Sequence, residues 1–190
     1  MKKTLTAILA ILLALGLAVS GCSGEPEQNV FARGEITGVS MDSTQSPQIG
    51  ELAPDFYFET PEGGATSLSE LKGSPVLVNF WATWCGPCVH EMPFIQQVYE
   101  ERQGEELALL AINIGESPSQ AADFMQSYGF SFPVLLDSQA AVAQRYNIQY
   151  IPTTFLIDKE GIIQEMKVGS FQSKAEIESS LSKLINVPSG

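Results

Sequence analysis

Two cysteines lie close together in the segment Trp-Cys-Gly-Pro-Cys at residues 84–88. An apolar run at residues 76–82 ends just before them, and a segment with helical character follows at once. Sulfur atoms at positions i and i+3, in the first turn of a helix, are near enough to form and break a disulfide reversibly. The spacing therefore predicts thiol–disulfide chemistry at Cys85 and Cys88.

The first cysteine is the expected nucleophile. Only a thiolate attacks a disulfide, and a thiol with an ordinary pKa of ~8.5 is mostly protonated at neutral pH. Cys85 precedes the predicted helix, so unpaired backbone N–H groups and the positive end of the helix dipole favour its anion. We expect Cys85 to form a mixed disulfide with a client and Cys88, one turn deeper, to resolve it. Gly86 and Pro87 would keep this loop tight and help to preorganise the helix.

Alternating strands and helices must position this pair. Continuous apolar runs, which are typical of buried parallel strands, occupy residues 76–82, 107–113 and 133–137. The predicted helices span residues 85–102, 118–128, 139–146 and 174–185. Pro93 should kink the first of them. A hairpin of strands 153–158 and 162–168 precedes the last helix. This order of elements predicts an α/β sandwich.

The folded domain is expected to begin near Gly50 and to extend to residue 190, with a short strand at residues 53–58. The residues before it are rich in Gly, Ser, Pro, Glu and Gln without a sustained period. Such composition favours a flexible tether, which we assign to residues 22–49. A short apolar alternation near residues 36–41 could form a transient strand.

The N-terminus has the features of a targeting segment, assigned to residues 1–21. Two lysines precede an apolar stretch at residues 5–19, which is short for a membrane span of ~20 residues. The tetrapeptide Val-Ser-Gly-Cys at residues 19–22 resembles the bacterial lipobox. That resemblance implies cleavage before Cys22 and lipid attached to it, which would anchor the domain. The alternatives are an ordinary signal peptide, or an uncleaved anchor, with an incidental cysteine.

Charge and cysteine content exclude several kinds of protein. The net charge of −12 argues against a nucleic-acid or anionic-membrane surface, and no nucleic-acid partner is expected. Three cysteines are too few for a disulfide-stapled scaffold. A single histidine, His90, leaves too few ligands for a zinc site. Val89 separates Cys88 from His90, so the Cys-x-x-Cys-His pattern of haem attachment is absent. No metal or cofactor is expected.

The segment at 84–88, together with Ile-Pro-Thr at residues 151–153, resembles the thioredoxin fold. Pro93 lies where that fold bends its active-site helix. The Glu-Met-Pro sequence at 91–93 and an extra helix and strand before residue 137 resemble the TlpA/ResA branch. The resemblance covers about residues 50–185. It implies a thioredoxin-like three-layer α/β/α sandwich with a central mixed sheet, an N-terminal extension and a helix–strand insertion.

The resemblance also implies roles for residues outside the cysteine pair. Pro152 is expected to follow a cis peptide bond that brings the backbone of Ile151 beside the sulfurs, where it could pair with an extended client. The alternative is an ordinary proline at the start of a strand. Trp84 is expected to shield the sulfurs and to offer clients an apolar platform, whereas Trp81 should lie in the core. No catalytic role is assigned to His90.

Glu91 is the expected proton-handling acid. Ordinary thioredoxins carry a buried aspartate where this chain has Asn79, and an asparagine cannot take up or release a proton. An acid in the site must therefore come from elsewhere, and Glu91 lies one helical turn beyond Cys88. The resemblance implies that this acid is partly buried and tunes the thiol pKa. The alternative is a solvated glutamate on the helix surface.

In the TlpA/ResA branch, proteins of this kind are membrane-tethered extracytoplasmic thiol–disulfide oxidoreductases. The resemblance implies location at the outer face of a bacterial cell membrane, oxidised client proteins such as apocytochrome c, and a membrane thiol donor of the CcdA type. A monomer is expected. Reduction of clients is favoured, although the sequence leaves the direction of exchange open.

Two other functions are weighed against this one. A peroxiredoxin-like peroxidase shares the fold, but its site resembles Thr-x-x-Cys, and Thr83 lies only two residues before Cys85. A lipid-anchored binding or chaperone domain is the non-enzymatic alternative, and the intact cysteine pair argues against it.

Overall fold

The computed structural model describes residues 33–40, 46–60, 63–103 and 107–185. Its strands are β1 (Arg33–Val39), β2 (Phe56–Glu59), β3 (Ala65–Ser67), β4 (Val76–Trp81), β5 (Ala108–Ile114), β6 (Val134–Asp137), β7 (Thr153–Ile157) and β8 (Ile163–Val168). Its helices are α1 (Gly86–Glu101), α2 (Pro118–Tyr128), α3 (Ala141–Arg145) and α4 (Lys174–Ile185), with a short 3-10 helix at Leu68–Leu71. The helices and strands predicted after residue 75 are confirmed, with small differences at their ends.

The strands form one mixed sheet in the order β3-β2-β1-β6-β5-β4-β7-β8. Strand β4, which leads to the cysteine pair, lies between parallel β5 and antiparallel β7. All six of its residues are buried. Because helices cover both faces of a strand in this position, its sequence is apolar without alternation. The α/β fold with a mixed sheet is confirmed.

Two hydrophobic cores lie on opposite faces of the sheet. Alternate residues of β4 face each core, since successive side chains of a strand point to opposite sides: Leu77 and Trp81 lie in one, and Val78 and Phe80 in the other. The first core contains the inward faces of α1, α2 and α4. The second contains buried residues of α3 together with Phe56 and Phe58 of β2. The sheet is thus the middle of three layers, and α1 is held rigidly against it.

The predicted tether is wrong for residues 33–39, which form β1 inside the sheet. Strand β1 is parallel to β6 and antiparallel to β2. The domain therefore begins well before Gly50. The apolar alternation near residues 36–41 overlaps β1 but indicates only a transient strand, because the partners that stabilise β1 lie far along the sequence and their pairing is not visible locally.

The predicted signal peptide, Cys22 and the adjoining part of the tether lie outside the described residues. Within the described ranges, no helix combines the length and apolar character needed to cross a bilayer.

Candidate active site

Cys85 and Cys88 form a disulfide, with an S–S distance of 2.08 Å. Cys85 is the N-cap residue of α1, and its sulfur accepts a hydrogen bond from the Cys88 backbone N–H at 3.2 Å. A sulfur in this position lies at the positive end of the helix dipole, which favours a thiolate once the disulfide is reduced. Cys88 is fully buried, whereas 5% of Cys85 is exposed. The geometry supports Cys85 as the residue that meets a client.

The start of α1 follows from its sequence. The Cys85 N–H donates to the carbonyl of Ala82 at 3.2 Å, so residues 82–85 form a turn directly after β4. Gly86 and Pro87, which are both exposed, occupy the first turn of the helix. A proline fits there because the first N–H groups of a helix have no intrahelical acceptor. The helix continues through Pro93 to Glu101.

The Ile151–Pro152 peptide bond is cis, as the resemblance implied. It precedes β7, which pairs with β4, and so lies beside the cysteine pair. The carbonyl oxygen of Ile151 is 3.6 Å from Cys85 Sγ. Ile151 is half-buried and Pro152 is buried. The pairing of this backbone with a client stays a prediction.

Glu91 is a buried residue of α1 and not a solvated one. Its Oε1 accepts a hydrogen bond from Asn79 Nδ2 of β4, and its Oε2 accepts one from the backbone N–H of Phe171, each at 2.8 Å. Asn79 also donates to Thr154 Oγ1 of β7 at 2.9 Å. The acid is therefore linked to both strands at the centre of the site.

Burial raises the pKa of Glu91 from 4.5 to about 7, because the ionised form loses its hydration. The hydrogen bonds from Phe171 and Asn79, and the charge of Lys167, lower the pKa but do not cancel this effect, and the charge of Glu176 raises it further. A carboxyl group that titrates near neutral pH, one helical turn from Cys88, can take up and release protons during thiol exchange.

The two tryptophans differ as expected. Trp81 is fully buried, whereas 73% of Trp84 is exposed. Trp84 lines a cavity of about 400 Å³ beside the disulfide, and Ile151, Tyr150 and Ile114 also border it. None of the side chains around the cavity carries a charge. His90 is exposed on α1, with its ring 5.8 Å from that of Phe94.

Glu116, which was not predicted from the sequence, is a buried residue in the loop between β5 and α2. Its Oε2 accepts from the Thr83 N–H at 2.8 Å and from Asn113 Nδ2 at 2.7 Å, and its Oε1 accepts from the Thr83 hydroxyl. One signal could have found it: Asn113 and Glu116 lie at the carboxyl end of a strand parallel to β4. Polar residues at that edge of an α/β sheet commonly belong to a site.

This chain is similar to proteins of a known family. A model of the AhpC/TSA family matches residues 49–166. The thiol-disulfide oxidoreductase ResA of Geobacillus kaustophilus is 37% identical over 136 residues, which are 72% of this chain and 78% of that relative. ResA of Bacillus subtilis is 40% identical over 126 residues, covering 66% and 70%. This chain belongs to the AhpC/TSA family.

Within that family it is a thiol–disulfide oxidoreductase with a thioredoxin-like fold. The thioredoxin-like protein YneN of Bacillus subtilis is 36% identical over 184 residues, which are 95% of this chain and 98% of that relative. Among solved structures, a thioredoxin-family thiol:disulfide interchange protein of Chlorobium tepidum TLS matches with a TM-score of 0.63 and 28% identity. That match covers 74% of this chain and all of the other.

StoA of Bacillus subtilis matches with a TM-score of 0.58 and 30% identity, over 68% of this chain and 97% of the other. The close pair of Cys85 and Cys88 at the start of α1 fits the dithiol of a thiol–disulfide oxidoreductase, and its role as the reactive centre stays a prediction. In the described part of the chain, no group of three or more His, Cys, Asp or Glu residues is placed to hold a metal ion.

Proposed function

We propose that this chain reduces disulfides of client proteins while held by lipid at Cys22 on the outer face of a bacterial cell membrane. The observation that carries the proposed chemistry is the Cys85–Cys88 disulfide at the capping position of α1, beside the Ile151 carbonyl and one turn from a buried acid. The proposed anchor rests on the lipobox resemblance of residues 19–22. In this proposal, the disulfide-bonded form is the enzyme after it has given two electrons to a client.

The exchange begins with the reduced pair. The Cys85 thiolate attacks one sulfur of the client disulfide, that S–S bond breaks, and a mixed disulfide forms while the other client sulfur leaves and takes a proton. Cys88 then loses its proton and attacks Cys85 Sγ. The mixed disulfide breaks, the Cys85–Cys88 disulfide forms, and the client leaves with two thiols. Glu91 accepts the proton from Cys88, since its pKa of about 7 permits transfer near neutral pH.

Each turnover leaves an oxidised enzyme, so a donor must return two electrons. We assign this role to a membrane thiol carrier of the CcdA type, because a compartment outside the cell membrane is oxidising. Apocytochrome c and other oxidised extracytoplasmic proteins are the proposed clients. The uncharged cavity beside Trp84 fits apolar client segments near the disulfide. We propose that the enzyme acts as a monomer.

A trapping experiment in cells tests the function. In Cys88→Ser, a mixed disulfide on Cys85 cannot be resolved, so clients should remain covalently attached and be released by dithiothreitol. The Cys85→Ser, Cys88→Ser double variant is the control and should capture none. The wild-type pair should be found reduced in cells. An oxidised pair in cells, with clients that gain disulfides, would reverse the proposed direction.

Insulin reduction by the purified protein separates an enzyme from a binding or chaperone domain. Turnover should be lost in Cys85→Ser, because no thiolate remains at the capping position. An inactive wild-type protein that still binds clients would favour the non-enzymatic alternative.

Metabolic labelling with a radioactive fatty acid tests the anchor. The wild-type protein should incorporate the label, whereas Cys22→Ala should not. A wild-type protein without label, or equal labelling of the two proteins, would contradict a lipid at Cys22.

A further inference from the structure

Glu116 connects the loops that follow two central strands. Its carboxylate accepts from both donors of Thr83, the backbone N–H and the hydroxyl, and also from Asn113 Nδ2. Thr83 follows β4, and Asn113 lies near the end of β5. Since Glu116 is buried, these contacts are shielded from water and resist exchange with solvent.

The segment held by these contacts determines where Trp84 points. Residues 82–85 form a turn closed by the Cys85 N–H and the Ala82 carbonyl, with Thr83 and Trp84 at its centre. Packing does little to fix the Trp84 side chain, because 73% of it is exposed. The orientation of the indole against the cavity therefore depends on the backbone of this turn, and Thr83 is the point at which that turn is held.

Cys85 does not depend on Glu116 to the same degree. It is held by α1, where the Val89 N–H donates to its carbonyl at 3.0 Å, and by the Ile151 side of the site. Loss of the Glu116 contacts should therefore disturb the client platform more than the nucleophile.

We propose that Glu116 is a positioning residue that orients Trp84 through Thr83 and thereby sets the affinity for protein clients. The role belongs to its hydrogen-bonding geometry and not to its charge. This inference rests on the proposed reduction of protein disulfides and identifies the residue that shapes its client site.

Two substitutions separate geometry from charge. In Glu116→Gln, the amide oxygen can accept from the Thr83 N–H and Asn113, while the amide nitrogen donates to the Thr83 hydroxyl, which turns to accept. All three contacts survive without the charge. Glu116→Ala removes all three contacts and leaves the Thr83 N–H, the Thr83 hydroxyl and Asn113 Nδ2 without this acceptor.

The test is dithiothreitol-driven reduction of insulin by the purified full-length protein. Glu116→Ala should raise the KM for insulin about tenfold, the size expected when an anchoring tryptophan loses its place in an interface. Its kcat should stay within about twofold of wild type, since Cys85 is held separately. Glu116→Gln should keep the wild-type KM.

A double-mutant cycle shows whether Glu116 acts through Trp84. Trp84→Ala alone should raise the KM, and Glu116→Ala combined with it should raise the KM no further. If Glu116→Ala does not fold, Thr83→Val replaces it, because valine keeps the branched shape of threonine and lacks the hydroxyl. Thr83→Ser, which keeps the hydroxyl, is the matched control for Thr83→Val and should keep the wild-type KM.

Several results would overturn the inference. One is an unchanged KM in Glu116→Ala, or in Thr83→Val where that variant replaces it, and another is a loss of activity confined to kcat. A third is a Glu116→Gln variant that is as impaired as Glu116→Ala. The fourth is an increase in KM that is additive for Glu116→Ala and Trp84→Ala in the double-mutant cycle. A wild-type protein that does not reduce insulin would count against the proposed function itself. The two failures are therefore distinguishable.

Discussion

Glu91 places an ionisable group in the core, one helical turn beyond Cys88. Two donors, Asn79 Nδ2 and the Phe171 N–H, bind its two oxygens, yet burial still raises its pKa to about 7. A group with this pKa changes charge in the range where thiol exchange operates. Above that pH its negative charge opposes a second negative charge on a nearby thiolate.

Glu91→Gln should change the pH dependence of Cys85 reactivity. Because the negative charge is removed, the pKa of the Cys85 thiol should fall by about half to one unit. Alkylation of the reduced enzyme at pH 7 should then be roughly three- to tenfold faster, since a larger fraction of Cys85 is thiolate. The inflection near pH 7 should also disappear. The measurement is the iodoacetamide rate constant from pH 5 to pH 9.

Glu51→Gln is the control for that measurement, because Glu51 is exposed and lies outside the cysteine site. Its profile should coincide with that of the wild type. If the profiles of Glu91→Gln and wild type also coincide, Glu91 takes no part in the chemistry.

At the scale of single elements, the fit of β1 depends on one glycine. A Cβ atom at Gly34 would lie 2.0 Å from the carbonyl oxygen of Glu59 and 2.8 Å from Cδ2 of Leu135. Strand β1 can therefore lie between β2 and β6 only if residue 34 has no side chain. Gly38, in the same strand, has ordinary space: its Cβ would lie 3.8 Å from Tyr57.

Gly34→Ala should destabilise the domain by about 1–3 kcal/mol, the usual cost of overpacking. Gly38→Ala is the matched control and should change the free energy of unfolding by less than about 1 kcal/mol. Urea denaturation of both variants measures this difference. Equal stability of the two would mean that β1 is not part of the folded sheet.

Local signals account for the elements that the sequence predicts well. Helix α2 begins at Pro118 after Ser117, whose hydroxyl accepts from the Gln120 N–H, and ends before Gly129, which has a φ of 69°. Each of these signals lies within a few residues of the boundary that it sets. Strand β1 has no such signals, since its stability comes from pairing with distant strands.

For the whole molecule, the hydrogen bonds of Glu91 join α1, β4 and the connection between β8 and α4. Global unfolding exposes this carboxyl group and returns its pKa toward 4.5. Between pH 4.5 and about 7 the folded chain keeps a proton that the unfolded chain releases. The free energy of unfolding should therefore fall as pH rises through this window.

The rise in pKa from 4.5 to about 7 corresponds to about 3 kcal/mol of unfolding free energy, at about 1.36 kcal/mol per pH unit. The wild type should lose about this amount of unfolding free energy between pH 4.5 and pH 8, whereas Glu91→Gln, which cannot ionise at residue 91, should not lose it. The unfolding free energy of Glu91→Gln should therefore rise by about this amount relative to that of the wild type. Urea titrations of the oxidised proteins across this range measure it, with Glu51→Gln as control. A constant difference between the Glu91→Gln and wild-type curves would show that Glu91 has the same pKa in both states.

The sequence by itself determined the reactive pair, the start of α1 and the buried strand β4. Those features depend on residues near one another in the chain, such as Cys85, Cys88 and the apolar run before them. It also placed Glu91 one turn from Cys88, but not its burial between Asn79 and Phe171.

Only the tertiary structure decided that burial, the position of β1 in the sheet and the contacts of Glu116 with Thr83. Each depends on segments that are distant in sequence and come together only when the sheet forms. Desolvation and hydrogen-bond geometry are properties of that packing, and so the pKa of Glu91 and the anchoring of the turn before Cys85 arise with the fold.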